Sequence, residues 1–495
     1  MNTTQETIDL MKGALANSSD QLAKSITVGT GLVAYDLQAP AKNLYPVITP
    51  LRNTIPRVGG GTGTATNWRQ VSSISGSGVA SMPWVPEGQR SGRMSYVTAN
   101  KAAAYVTIGE EDQISMEAVH AGRTFEDLKA TMAIRLLQQM MIKEEHAILG
   151  GNNSVALGTP ATPTLSAAGS TGTLGTATYG VYAVALTYEG YQVASLASGV
   201  KQAVAVTGAD GLSYTVNGGS SNKSAQATQA LTLGQILSAS VTAIKGAVAY
   251  AWYVGVSGSE KLEAITTINS ATFSAPLAGT GQAITAVTLD ASQNTGAFDG
   301  LLSNVYGSNG GYLKTLATGT PGAGNFLTPS GRGSVVEIDN MLKTMWDTYR
   351  VSPTALYMNS QELNNVTTKV LTNSSGPLLR YNMDASGSKE PMGIVAGGVI
   401  TYYFNPFAMN GGMMIPVRLH PTLPAGTIFA FCDNLPLQYQ SNNVPNVAEV
   451  KTRNDYYEID WPQKTRQYEV GVYAEEVLAV YAPFAMGAIT NVGNG

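Results

Sequence analysis

The clearest helical periodicity in the chain lies at 124–151, TFEDLKATMAIRLLQQMMIKEEHAILGG. Phe125, Leu128, Met132, Leu136 and Met140 recur at spacings of three and four, which places them on one face. Ala133, Leu137, Met141 and Ile148 widen that face. Thr124 is the expected N-cap with Asp127 as its capping-box partner, and Glu126 and Asp127 suit the positive end of the helix dipole. Nothing interrupts the run before Gly150-Gly151 ends it. At about 1.5 Å per residue it spans roughly 40 Å, long enough to serve as a spine for other elements.

Alternation takes over on either side. Ala65–Ile74 reads as a strand, and Met94–Ile108 as a second with Tyr96, Ala102, Ala104, Val106 and Ile108 in rough period two. Gly76–Arg93, GSGVASMPWVPEGQRSGR, forms a polar tip between them, and Gly59-Gly60-Gly61 reads as a hinge before them. A lone hairpin is marginal in water, so this one calls for a partner, read here as another subunit. The acidic turn Glu110–Asp112 leads into the spine helix.

Before the hairpin, Ile8, Met11, Leu15 and Leu22 give a short amphipathic segment, and Pro40, Pro46, Pro50 and Pro56 then forbid a long helix, leaving an extended arm. After the spine, Pro160 and Pro163 open a stretch of Ala, Gly, Ser, Thr and Val running to about Asn294. There TYGVYAVALTYEGYQVAS reads as a strand pair, GAVAYAWYVGVSGSEKLEAI as strand, Gly258 turn and strand, and ATFSA and ITAVTL as closing strands. This describes a β-sandwich inserted into one loop, with Gly150–Asn153 and Thr295–Leu302 as its two sides. A second helix, Ser334–Tyr349, presents Val335, Ile338, Leu342, Met345 and Trp346. ALYMNSQELNNV reads as strand, turn and helix, short strands follow from Ile394 to Pro436, and Tyr468–Ala482 is a strand or bent strand pair. Strict βαβ alternation is absent, so the class is α+β.

Composition sharpens this. A chain of 495 residues with 44% hydrophobic positions can bury a full core. Only 13% of residues are charged, about half the usual share, which suits a protein packed among copies of itself. A net charge of -4 argues against an extended nucleic-acid surface. Neither a signal peptide nor an apolar run of about 20 residues stands out, so assembly in the cytoplasm without membrane contact is expected. The single Cys432, following an apolar run, reads as a buried, inert thiol.

Chemistry is scarce. His120, His146 and His420 are far apart, and His146 beside Glu144 and Glu145 lacks the zinc-helix spacing, so it reads as a half-buried histidine with a local hydrogen bond. No nucleophile elbow, phosphate loop, zinc pair or calcium loop is present, and no catalytic, cofactor or metal residue is assigned. The candidate site is an intersubunit contact at the hairpin tip: Trp84 between Pro83 and Pro86, with Glu87, Arg90 and Arg93 setting register. The alternative class is an adhesive or carbohydrate-binding protein, with Tyr179, Tyr182, Tyr188 and Tyr191 of the central module giving weak glycan stacking; ordinary strand packing competes with that role.

An N-terminal arm, a projecting hairpin, a spine helix ending in Lys-Glu-Glu-x-x-Ile-Leu-Gly, a second helix and a closing α+β region resemble, in that order, the Hong Kong 97-like major capsid protein of tailed bacteriophages. The resemblance rests on WVPEGQRSGRMSYVTANKAAAYVTIGEEDQIS, MMIKEEHAILGGN, ALYMNSQELNNV and YEVGVYAEEVLAVYAPFAMGAI. It implies an arm (1–65), the family's E-loop hairpin (66–108), spine and start of the peripheral domain (109–157), an immunoglobulin-like or fibronectin III-like insertion (158–294), peripheral domain with second helix (295–350), apical domain (351–462) and closing strands (463–495). It further implies hexamers and pentamers of an icosahedral shell around double-stranded DNA, with portal and scaffolding or decoration proteins as partners. The tip Gly76–Arg93 contains no Lys, so the family's Lys–Asn cross-link is not expected there, and the long charged N-terminal extension that acts as a scaffold is missing.

Overall fold

The computed structural model describes residues 47–75, 84–92, 95–123, 127–307, 311–331, 333–372, 400–408, 411–435 and 446–493. The segment 1–46 and the amphipathic reading placed on it lie outside them, as do Thr124 and Phe125. The chain divides into two compact units, one holding Ile114–Met132 and the other Val47–Gln113 with Ala133–Gly495. In the first, helix Met116–Gly122 is capped by Ser115, whose hydroxyl accepts from Ala118 N at 3.2 Å. The spine helix runs Leu128–Gly150. Asp127, expected as the partner of a capping box, is itself the cap: its Oδ1 accepts from Lys129 N and Ala130 N.

Along the spine, Met132, Leu136, Met140 and Ile148 are buried, as their spacing requires, whereas Leu137 is exposed and does not widen the face. The largest departure is at the far end. Glu144 and Glu145 are both about 1% exposed, so two adjacent charged positions near the helix end are buried.

The second unit holds most of the sheet structure. A four-stranded sheet runs in the order Arg57–Val58, Ala448–Asp460, Gln467–Val480, Val106–Ser115. The last strand carries straight through Glu110–Asp112, expected to be a turn, and Met94–Ile108 is thereby two strands in different sheets. A six-stranded mixed sheet runs Tyr312–Thr315, Met486–Thr490, Ile428–Phe431, Ala355–Met358, Met413–Leu419, Tyr402–Asn405. Helix Val336–Tyr349 lays Ile338, Met341, Leu342 and Met345 on it, and its Trp346 is half-buried.

Residues 164–273 form two facing sheets. One contains Ala227–Leu231, Ala177–Leu186, Ala249–Val256 and Lys261–Thr266, with Ser220–Lys223 added; the other contains Ser270–Phe273, Ile236–Ser240 and Thr164–Ala168. Trp252, Val181 and Tyr250 of the first share a core with Leu237, Ala239 and Phe273 of the second. Gly258 turns at φ +95° between two of the strands. Two segments differ from the periodicity reading. YEGYQV is a helix, Tyr188–Val193, because the Thr187 hydroxyl caps Gly190 N and breaks the strand. ITAVTL contains a 3-10 turn, Ile284–Ala286, instead of a strand. The chain enters and leaves this region side by side: Gly300 N donates to Gly151 O and Asn294 N to Asn152 O, each at 2.8 Å.

Glu362 is fully buried on helix Ser360–Thr372 and accepts from Gly426 N at 2.9 Å. Desolvation lifts its carboxyl from 4.5 to about 7, against the opposing bonds from Gly426 and Asn365. A raised carboxyl favours the fold most when protonated, so its contribution is complete below pH 4.5 and is lost as pH rises through about 7. The span is on the order of 3 kcal/mol. Glu362→Gln is expected to flatten the stability profile between those pH values in urea titrations; an unchanged slope removes the assignment.

Candidate assembly surface

The hairpin comprises Ala65–Ser75 and Ser95–Ala104, antiparallel from Ala65↔Ala104 to Ser75↔Ser95. Among the described residues no third strand joins it. Its base is fixed: Trp68 Nε1 donates to Val480 O at 3.0 Å, and the buried Gln70 amide to the same oxygen at 3.4 Å. Gly61 is likewise held, with its N–H on Thr452 O and the Tyr105 ring where a Cβ would sit. Of the expected glycine hinge, Gly61 is therefore close-packed, while Gly60 turns at φ +88° in open space.

At the tip, Trp84 is 84% exposed. Gln89 N bonds back to Pro86 O, closing a turn with Gly88 at φ +76°. That turn brings Trp84, Glu87 and Arg90 into one short exposed segment, none of them paired to another described residue. Arg93, the fourth candidate, lies outside the described residues.

What periodicity missed is how the hairpin's platform is held. The short helix Pro50–Thr54 has no side-chain cap of its own. Glu145 supplies one from the spine: its carboxylate accepts from Leu51 N at 3.0 Å and Arg52 N at 2.7 Å. His420 Nε2 meets Glu145 Oε1 at 2.7 Å, and Thr422 N donates to His420 Nδ1, so the proton on Nε2 faces the carboxylate. At the adjacent helix position, about 100° round, Glu144 accepts from Arg52 Nε at 2.7 Å, from Arg57 and from the Tyr456 hydroxyl. Arg57 reaches on to Asp455 at 2.6 Å and Glu476 at 3.0 Å.

Both guanidiniums lie over the Tyr456 ring, 5.4 and 5.0 Å from its centre. Burial pushes the Glu476 carboxyl up, with Arg57 opposing; burial also works against the Arg57 charge, but the Asp455 bond and the nearby carboxylates hold its pKa above the ordinary value. The result ties residues 50–58, the spine end and the strand pair Ala448–Asp460 and Gln467–Val480 into one rigid frame. The sequence signal was available in hindsight: two adjacent glutamates in an apolar helix end, and two arginines on a proline-bounded segment.

Other expected features take different roles. Among the described residues His146 has no hydrogen bond; its ring lies 6.0 Å from that of Tyr188, and burial lowers its pKa. Tyr179 and Tyr188 are buried, and Tyr182 and Tyr191 pack against a module core, so these four do not form an exposed glycan platform. Cys432 is 2% exposed and its thiol is pushed up to about 12 by burial and then by Asp433. Among the described residues no cluster of His, Cys, Asp and Glu could hold a metal ion, and no helix is long and apolar enough to cross a membrane.

No protein-family model and no curated protein matches the sequence. Structural comparison finds remote likenesses to solved structures. A holo-SrpI encapsulin complex from Synechococcus elongatus PCC 7942 aligns over 96% of this chain and 95% of its own at 9% identity, TM-score 0.39. The capsid of a native GTA particle aligns over 95% and 99% at 9% identity, TM-score 0.42. A structure titled Mycobacterium phage Bobi aligns over 94% and 97% at 11% identity, TM-score 0.39. Alignments at this level transfer neither residues nor activity.

Proposed function

We propose that the chain is a shell subunit, a Hong Kong 97-like major capsid protein that self-assembles into hexamers and pentamers of an icosahedral phage head around double-stranded DNA. The observation that carries this is the hairpin: a two-stranded ribbon bonded to the body at its base, lacking a third strand among the described residues, and ending in an exposed tryptophan. Such a ribbon gains stability by lying on a neighbour. The Glu144–Glu145 network serves this by holding the ribbon's platform at a fixed angle.

In this reading residues 351–462, which supply four strands of the six-stranded sheet, form the apical region at capsomer centres. The sheet's outermost strand there, Tyr402–Asn405, presents Tyr402 and Phe404, each more than half exposed. The two-layer module is an immunoglobulin-like or fibronectin III-like insertion displayed outward. Portal, scaffolding or decoration proteins complete the particle, which is built in the host cytoplasm. A net charge of -4 lets the inner face tolerate packed DNA without gripping it.

Negative-stain microscopy and size exclusion of the purified chain test the proposal. Closed shells or capsomer rings are expected. A monomer at every salt concentration, both alone and with the accessory head proteins of its own source, removes it.

A further inference from the structure

The tip of the hairpin has a plug and its base has a socket. A surface cavity of about 210 Å³ opens beside the base strands, walled by Trp68, Ala103, Phe298 and Leu478, with Lys101 and Asp299 among its lining residues. A cavity of about 150 Å³ accepts a benzene ring, so this one has room for an indole. Lys101 is half-buried and its ammonium has no partner among the described residues. Asp299 is half-buried and accepts only backbone N–H groups, those of Asn153 and Ser154 at 2.9 Å. The socket thus offers one cation and one anion in a lining more polar than apolar, with Trp68 and Phe298 as its large rings.

The tip offers the complement: Trp84, with Glu87 and Arg90 within six residues of it. Trp84 does not fill its own chain's socket, because it is 84% exposed. The strand from Trp68 to Ser75 alone carries the ribbon about 23 Å away from the socket at about 3.3 Å per residue.

Resting on the shell reading above, we propose that this cavity is the receptor for Trp84 of a neighbouring copy of the same chain, with Glu87 meeting Lys101 and Arg90 meeting Asp299. Plug and socket lie at opposite ends of one ribbon, so the contact is head-to-tail. A heterologous contact of that kind closes into a ring when its rotation divides the circle, which is the geometry a capsomer requires. The indole supplies the buried anchor and the two charge pairs set register.

The test compares wild type with Trp84→Ala, Glu87→Lys, Lys101→Glu and the double reversal Glu87→Lys/Lys101→Glu. The assembled fraction is read by size exclusion and microscopy, and the fold of dissociated subunits by circular dichroism melts. Trp84→Ala and each single reversal are expected to lower the assembled fraction at least tenfold, with the double restoring it to within about twofold of wild type. Melts of the tip variants stay at the wild-type value. A double no better than its singles, or a Trp84→Ala chain that assembles normally, overturns the socket and leaves the shell reading intact. A wild-type chain that never assembles removes both. Should Lys101→Glu unfold, carbodiimide coupling in mixed isotope-labelled and unlabelled wild-type assemblies takes its place. A Glu87–Lys101 cross-peptide between copies supports the contact, and its absence overturns it.

Discussion

Glu144→Gln is expected to destabilise the protein by about 3–5 kcal/mol, the usual result of removing one partner from a buried charge network. The side chain is 1% exposed, and its two oxygens serve Arg52, Arg57 and the Tyr456 hydroxyl. Glutamine preserves the volume but removes the charge. Arg57, 18% exposed, then keeps Asp455 and Glu476, while Arg52, 15% exposed, loses the carboxylate it pairs with. The neighbouring residue provides the contrast. Lys143 pairs with Glu110 at the surface, with 47% and 34% of the two side chains exposed. Lys143→Gln is expected to shift stability by no more than about 1 kcal/mol. Urea midpoints of the two variants measure the difference. Equal midpoints would mean that the network does not hold the frame.

Tyr188→Ala carries the second large effect, about 3–5 kcal/mol for a buried aromatic truncated to Ala. Tyr188 starts a helix within the module region, yet it packs in the same core as Ile148, Leu149 and Phe298 of the spine and its flanking loop. Its ring occupies the space where a Cβ on Gly150 would lie, so glycine there is a packing requirement as well as a helix stop. Gly150→Ala is therefore expected to destabilise by about 1–3 kcal/mol through overpacking. Combined with Tyr188→Ala it should cost little more than Tyr188→Ala alone, because the ring it clashes with is gone. Calorimetry checks this directly, and additive losses in the double variant would refute the contact. A second tie, Asn269 with Asn491, joins the same region to the C-terminal strand through paired side-chain amides at 3.0 Å and an Asn269 N–H bond at 2.9 Å. Asn491 adopts φ 63° to make it. The central region, expected from the sequence to be an insertion, is thus interlocked with its surroundings by packing.

The sequence by itself determined the elements whose signal is local. Spacing of apolar residues set the spine helix, the second helix and the hairpin strands, and glycine at positive φ set the turn at Gly258. The polar, proline-flanked tip announced Trp84 as exposed. The α+β class followed from the order of those elements.

Tertiary structure decided whatever depends on partners distant in the chain. Glu110–Asp112 became strand because an adjacent strand of the four-stranded sheet pairs with it, overriding turn composition. No reading of the sequence buried Glu144 and Glu145; Arg52, Arg57 and His420, separated from them by 92, 87 and 275 positions, compensate that burial. Tyr188, read as part of a strand pair, instead starts a helix that Thr187 caps, and its ring turns onto Gly150. Periodicity reports which face of an element is apolar; a buried charge is stable only where opposite charge and hydrogen bonds meet it, and that meeting is a property of the fold.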